Sequence, residues 1–206
     1  MLTLYWYWSY NPQKVRFALE ELGLDYSLVT VDLLRGGQHA DLVGELNPNH
    51  KVPILSHGPY SLWESNAILV YLGELHHRLW PGEPEGKGDA ARWLFFESRH
   101  LSEPLGQLWF NGFVAGQAGR VPDTLAMERA QKDSARYLGV LDSHLEREDW
   151  MVGGGFSLVD CCYGPLLDAF ELSGRGIEAY PAIRDYLRRL RERRAWKACA
   201  FRTRAA

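Results

Sequence analysis

The sequence predicts two domains: an α/β domain ordered β-α-β, short helix, β-β-α around a mixed four-stranded sheet, then an all-α helical bundle. Three observations carry this expectation. Strand-like and helix-like segments alternate through the first 78 residues or so. A stretch rich in Pro, Gly and charge, WPGEPEGKGD, then interrupts all apolar periodicity. Beyond it every apolar pattern is helical. The expected division is residues 1–78, a linker at 79–88 and a helical domain over 89–206.

Leu2 to Tyr7 is apolar and aromatic on both parities, which suits a central strand covered on both faces. Asn11 before Pro12 reads as a helix start, Asn as N-cap and Pro at the first helical position. Val15, Ala18, Leu19 and Leu22 supply its buried stripe up to Gly23. The segment DYSLVTVDLL is a second strand, and an intervening helix makes the pair a right-handed parallel unit. After a Gly-rich loop and a short helical turn, VPILSHG and YSLW form two strands around a His-Gly-Pro turn, and ESNAILVYLGELHHRLW is a helix. Four further helices follow: AARWLFFESRHLSEPLGQLWF, TLAMERAQKDSARYLGVLDSHLE, SLVDCCYGPLLDAFEL and AIRDYLRRLRERRAW. Ser157 and Asp160 have capping-box spacing, and Gly153 to Gly155 fit the turn delivering the chain to that cap.

At 206 residues and 46% hydrophobic the chain can bury a substantial core without staples. A formal charge of −3 gives no basic footprint for nucleic acid, and RRLRERR alternates with leucines as a solvated helix face does. Cys161, Cys162 and Cys199 form no CxxC pair, so reduced thiols and a cytoplasmic location are expected. No apolar run approaches about 18 residues and no secretory leader is read at the N-terminus, so no membrane partner is expected. No metal is expected either.

Two places could carry chemistry. Ser9 follows the first strand just ahead of a helix start, where a hydroxyl can stabilise an anion or simply serve a turn. It has no G-x-S-x-G context, which disfavours a serine hydrolase. Val52-Pro53 opens a strand, and a cis bond there would leave the Val52 backbone free for a ligand. Eleven residues later Glu64 and Ser65 begin a helix whose N-H groups and dipole can hold a carboxylate, with a plain N-cap as the competing reading.

These pieces resemble the cytosolic glutathione transferase superfamily, in particular its serine-type bacterial, phi and theta-like branches. The resemblance runs through YWYWSYNPQKVRFALEELGLDY, LNPNHKVPIL, LWESNAILVYL, FSLVDCCYG and YPAIRDYLRRLRERRAW, and covers essentially the whole chain. It implies a thioredoxin-like first domain. It implies that Ser9 hydrogen-bonds the glutathione sulfur, that Val52 ahead of a cis Pro53 pairs with the cysteinyl backbone, and that Glu64 and Ser65 hold the γ-glutamyl end. Lys51, Gln38 and His39 then lie near the glycine end, although His39 stands where relatives often carry Lys or Arg.

The implied activity is transfer of glutathione, as co-substrate, to a hydrophobic electrophile, and the implied assembly is a homodimer. Lowering a thiol pKa near 8.5 by about two units needs roughly 2.7 kcal/mol. A hydrogen bond to the anion, about 1.5 to 3 kcal/mol, plus a helix N-terminus, about 0.3 to 1, suffices without a general base. Tyr7 and Tyr5, on one face of the first strand, are the alternative donors. Ser rather than Cys at position 9 argues against disulfide reduction by the chain's own thiol. Trp109, Phe110 and Phe113 are candidates for the electrophile site or for core. Tyr60 to Trp63 and ARWLFFESRH are candidates for the dimer face. Isomerisation, dehalogenation, peroxide reduction and a non-catalytic binding role are alternatives on the same fold.

Overall fold

The computed structural model describes residues 1–199; residues 200–206, the end of the expected helical domain, lie outside the described residues. Strands β1 (Leu2–Trp6), β2 (Tyr26–Thr30), β3 (Ile54–His57) and β4 (Tyr60–Trp63) form one sheet in the order β2-β1-β3-β4. β1 pairs parallel with β2, Leu2 opposite Tyr26, and antiparallel with β3, Leu2 opposite His57. β3 and β4 close an antiparallel hairpin with Ile54 opposite Trp63. Gly58 takes φ 61° in the intervening turn, a conformation glycine adopts without steric cost.

β1 is central, as its composition predicts, but its two faces are unequally covered. Leu2, Leu4 and Trp6 enter the main core with Val15, Leu19 and Ile68. Tyr5, on the other face, packs against a small cluster of Val31, Val43 and Ile54. Val43 comes from the short helix α2 (Asp41–Leu46).

The first helix, α1, spans Tyr10–Leu22. It starts two residues before the expected Pro12, and Ser9 rather than Asn11 is the N-cap residue. Proline is tolerated throughout a first turn, because those N-H groups have no intrahelical acceptor. α3 spans Ser65–His76. The expected linker is shorter than its composition suggests, because α4 (Pro84–Phe96) begins inside 79–88 with Pro84 in its first turn.

The expected first long helix of the second domain is interrupted twice. α4 passes through a π-helical segment, Glu97–Leu101, into α5 (Ser102–Trp109), and a second, Phe110–Val114, leads to α6 (Ala115–Gln117). Pro104 lies just after the first π segment, where loosened hydrogen bonding accommodates a missing donor. The remaining helices are α7 (Thr124–Leu145), α8 (Leu158–Leu172), α9 (Pro181–Glu192) and α10 (Arg194–Cys199). α8 is buried from Leu158 through Phe170 and packs along α1, so the second domain covers the α1 face turned away from the sheet.

The cap at the start of α8 has the expected form. Ser157 Oγ accepts from the Val159 N-H at 3.2 Å, and Asp160 Oδ2 accepts from the Ser157 N-H at 2.7 Å. Gly153 and Gly154 both have positive φ in the preceding turn.

Candidate active site

Ser9 ends the connection from β1 to α1. It is extended, at φ −148° and ψ 160°, and half-buried. Its N-H donates to the Tyr7 carbonyl at 2.8 Å, and its carbonyl accepts from the Gln13 N-H at 3.2 Å, which begins the helix. Its hydroxyl makes no capping bond. The hydroxyl is therefore held at the positive end of a 13-residue helix without being used to satisfy that helix.

A second helix start meets the first. Ser65, 7% exposed, opens α3 and donates from Oγ to Asn11 Oδ1 at 3.4 Å. Asn11 belongs to the first turn of α1. Glu64, between β4 and α3, takes φ 72° and ψ 113°, a backbone conformation costly for a residue with a Cβ. Such outliers concentrate at binding sites, where surrounding structure imposes them. Two helix N-termini thus converge, with an exposed carboxylate beside them.

The other predicted residues fall around this pair. The Val52–Pro53 peptide is cis. Val52 lies just before β3, outside its strand ladder. Lys51 has an exposed side chain, and its carbonyl accepts from Asn47 Nδ2 at 2.8 Å. Gln38 and His39 sit on the turn Gly37–His39. The His39 N-H donates to the Gly36 carbonyl at 2.9 Å, and His50 stands against the pair, its Nδ1 3.0 Å from the Gln38 carbonyl and its ring 6.0 Å from that of His39. Tyr7 lies beyond the end of β1, whereas Tyr5 is within the strand, on the face carrying Val31 and Val43.

Helical-domain residues close over the start of α1 through Tyr10, which the sequence reading did not single out. Trp109 meets the Tyr10 ring edge-on, centroids 5.6 Å apart. The Tyr10 hydroxyl donates to the Ser102 carbonyl at 3.2 Å, and burial raises its pKa above the ordinary phenol value. Gly106 permits this approach, since a Cβ there would lie 2.5 Å from the Tyr10 oxygen. Phe110 is exposed and Phe113 half-buried, both in the second π segment. The signal for Tyr10 was its place beside Ser9; its partners come from residues about a hundred positions away.

A cavity of about 710 Å³ opens where α1, α3 and α4 meet, with Asn11, Glu64, Ser65 and Asn66 on its polar wall and Val70 and Phe95 on its apolar one. Ser9 and Trp109 are not on its wall. Among the described residues no group of three or more His, Cys, Asp or Glu could hold a metal ion. No helix among them is long and apolar enough to cross a membrane.

A thioredoxin-like domain joined to a helical bundle, with two helix starts converging beside a cis-proline strand, is the architecture of a glutathione-binding class. Residues 1–74 match the family model of the glutathione S-transferase N-terminal domain, and residues 125–189 that of the C-terminal domain. The disulfide-bond oxidoreductase YfcG of Escherichia coli is 34% identical over 202 residues, covering 95% of this chain and 92% of that protein. A glutathione transferase from Pseudomonas putida, solved with one glutathione disulfide per subunit, is 30% identical with TM-score 0.86, over 96% of this chain and 89% of that one. A glutathione transferase family member from Pseudomonas fluorescens with two glutathione bound is 29% identical with TM-score 0.85, over 96% and 91%. The chain belongs to the cytosolic glutathione S-transferase superfamily.

Proposed function

We propose that this protein is a serine-type glutathione transferase that stabilises the glutathione thiolate and adds it to hydrophobic electrophiles. The observation that carries the reading is the convergence of the α1 and α3 starts through Asn11 and Ser65, with the Ser9 hydroxyl making no capping bond to α1. In this reading Ser9 donates to the thiolate and remains protonated, and the nucleophile is glutathione's sulfur. Val52, ahead of Pro53, pairs with the cysteinyl backbone. Glu64 and Ser65 take the γ-glutamyl amino and carboxylate groups, and Lys51, Gln38 and His39 take the glycine carboxylate. Trp109, Phe110 and Phe113 form the electrophile wall, behind Tyr10.

Residues 1–78 would then be the glutathione-binding unit, 79–88 the connection and 89–206 the unit supplying the hydrophobic site, in a cytoplasmic homodimer. The cavity between α3 and α4 supports the dimer, because exposed Tyr60 and Phe95 stand on its apolar side. The test is calorimetry with glutathione, with the ultraviolet absorbance of the bound thiolate followed against pH for wild type and Ser9→Ala. Saturable binding with a thiol pKa depressed only when Ser9 is present supports the reading. Absence of binding would leave a non-catalytic, partner-binding member of the family.

A second reading is favoured by the name of the Escherichia coli relative and the glutathione disulfide in the Pseudomonas putida structure. The same site would then direct a glutathione thiolate onto a substrate disulfide, forming one S–S bond as another breaks and expelling a thiolate. The chain's own thiols are poorly placed for this: Cys161, Cys162 and Cys199 are all buried, and burial pushes each pKa up. Turnover of a dialkyl disulfide but not of an aromatic halide would select this chemistry over conjugation.

A further inference from the structure

Ser9 occupies the N-cap of α1 in extended backbone, φ −148° and ψ 160°, the conformation from which a serine ordinarily caps a helix. Its hydroxyl makes no capping bond. Elsewhere in the chain comparable caps are made. Ser157, at φ −137° and ψ 173°, accepts from the Val159 N-H at 3.2 Å at the start of α8. Asp123 accepts from the Ala126 N-H at 2.9 Å at the start of α7. Ser9 and Ser157 share residue type, cap position and backbone region, so none of these explains the missing bond.

The difference lies in the third residue of the first turn. An N-cap oxygen accepts from the N-H of the second or third helical residue, and the third is the usual partner of a capping serine. That residue is Ala126 in α7 and Asp160 in α8, each with an N-H. In α1, which begins at Tyr10, it is Pro12, which has none. Proline is favoured at the first helical position, where its fixed φ helps and its missing donor costs nothing. At the third position it gives the same restraint and also deprives the N-cap of a partner. Serine has a single side-chain torsion, so Oγ turned onto the first turn is not turned toward a ligand.

We infer that Pro12 is a positioning residue: by withholding the N-H that would draw Ser9 Oγ onto α1, it keeps that hydroxyl turned outward for the glutathione sulfur. The inference rests on the glutathione reading above and adds to it a residue that this reading gives no contact with either substrate. The helix forgoes a cap, and the site keeps its donor. The helix dipole still acts on the sulfur, because it belongs to the backbone of the whole turn.

The test is a double-mutant cycle of Pro12→Ala and Ser9→Ala. It is read by thermal melting, by amide hydrogen exchange at residue 12, and by kinetics with glutathione and an aromatic halide or dialkyl disulfide, whichever the wild type turns over. Alanine restores the N-H at the third position without straining the helix. The melting shift caused by Pro12→Ala should be about 2 to 4 °C more favourable with Ser9 present than in the Ser9→Ala background, the worth of one N-cap in a chain of this size. The amide of residue 12 should exchange about fivefold more slowly when Ser9 is present. With Ser9 present, Pro12→Ala should lower kcat about three- to tenfold and leave KM for glutathione within about twofold, because the hydroxyl is divided between cap and sulfur. In the Ser9→Ala background it should leave the residual kcat within about twofold. Equal losses of rate and equal melting shifts in both backgrounds would make Pro12 a purely structural first-turn residue, overturning the inference and leaving the glutathione reading intact. Exchange at residue 12 that is indifferent to Ser9 would do the same. Full activity in Ser9→Ala alone, or a wild type that binds no glutathione, would overturn the serine-type reading and the inference with it.

Discussion

The Tyr186 hydroxyl donates to Asp160 Oδ1 at 2.8 Å, which ties α9 to the capped start of α8. Asp160 is fully buried and also accepts from the Met151 N-H, the Ser157 N-H and Ser157 Oγ at 2.7 to 2.9 Å. Asp160→Asn turns one of these acceptors into an NH₂ group facing donors. The expected cost is about 2 to 4 kcal/mol in urea unfolding, a lost cap plus buried unpaired donors. Tyr186→Phe removes one donor and should cost about 1 kcal/mol. A change under about 0.5 kcal/mol for Asp160→Asn would mean the box is not a structural anchor.

The same carboxyl predicts a pH dependence. Burial outweighs the four donors and raises its pKa from 3.8 to about 6. Between these values the folded chain holds a proton that the unfolded chain has released. Its contribution is therefore complete below about pH 4 and is lost as pH rises through 6, about 3 kcal/mol in all. Wild-type stability should fall over this interval relative to that of Asp160→Asn. A constant difference between the two unfolding profiles would show that the carboxyl ionises at its ordinary value.

Ser9→Ala should lower kcat by about 10- to 100-fold, the worth of one hydrogen bond to a charged group, with glutathione affinity changed by less than about threefold. Ser9→Thr should retain most of the rate. Steady-state kinetics with an aromatic halide provide the measurement, and full activity in the alanine variant would shift the donor role to Tyr7 or Tyr5.

Phe95 is 72% exposed on α4, and Tyr60 is 49% exposed across the same cavity. In the proposed homodimer a second copy would cover these open apolar side chains. Phe95→Lys should shift sedimentation of a dimer toward the monomer mass. A wild type sedimenting as a monomer at micromolar concentration would remove the dimer proposal.

The sheet was legible because its signals are local. Apolar strand residues, an Asn-Pro helix start and a Gly-Pro hairpin each act within a few residues, and together they prescribe the order of β1, α1, β2, β3 and β4. The Ser157–Asp160 cap was legible for the same reason. Pro84 was not, because a helix starting among Gly86, Gly88 and charged residues has no local signature; packing of its later turns on α8 sustains it. α1 shows the limit most clearly. Its stripe of Val15, Ala18, Leu19 and Leu22 is read from periodicity, yet Gln13, Lys14 and Phe17 are equally buried. A lysine on a helix reads as solvated until its partner is known, and Glu97 is 83 residues away. Phe17, off the predicted stripe, was the hint that α1 has a second covered face. Of the proposed site, the Ser9 turn, the Val52-Pro53 strand start and the Glu64-Ser65 helix start are all readable from local sequence. Tyr10, Asn11 and Asn66 depend on contacts that only the tertiary fold creates.

Arg193, between α9 and α10, clamps the end of the helical domain onto α1. Its Nε and Nη2 reach the two oxygens of Glu21 at 2.5 and 2.8 Å, and the guanidinium lies 3.6 Å from the centre of the Phe156 ring. Trp196 then packs edge-on against Phe17, centroids 5.2 Å apart. Exposed ion pairs contribute little, about 0 to 1 kcal/mol, but this one is bidentate, largely covered and stacked. Arg193→Ala should cost about 2 to 3 kcal/mol. Arg193→Lys should recover less than half of that, since an ammonium supplies neither the planar fork nor the stack. A double-mutant cycle with Glu21→Ala should give a coupling above about 1 kcal/mol. A coupling near zero, with the cost of Arg193→Ala unchanged, would assign the clamp to stacking on Phe156 and leave Glu21 as a surface charge.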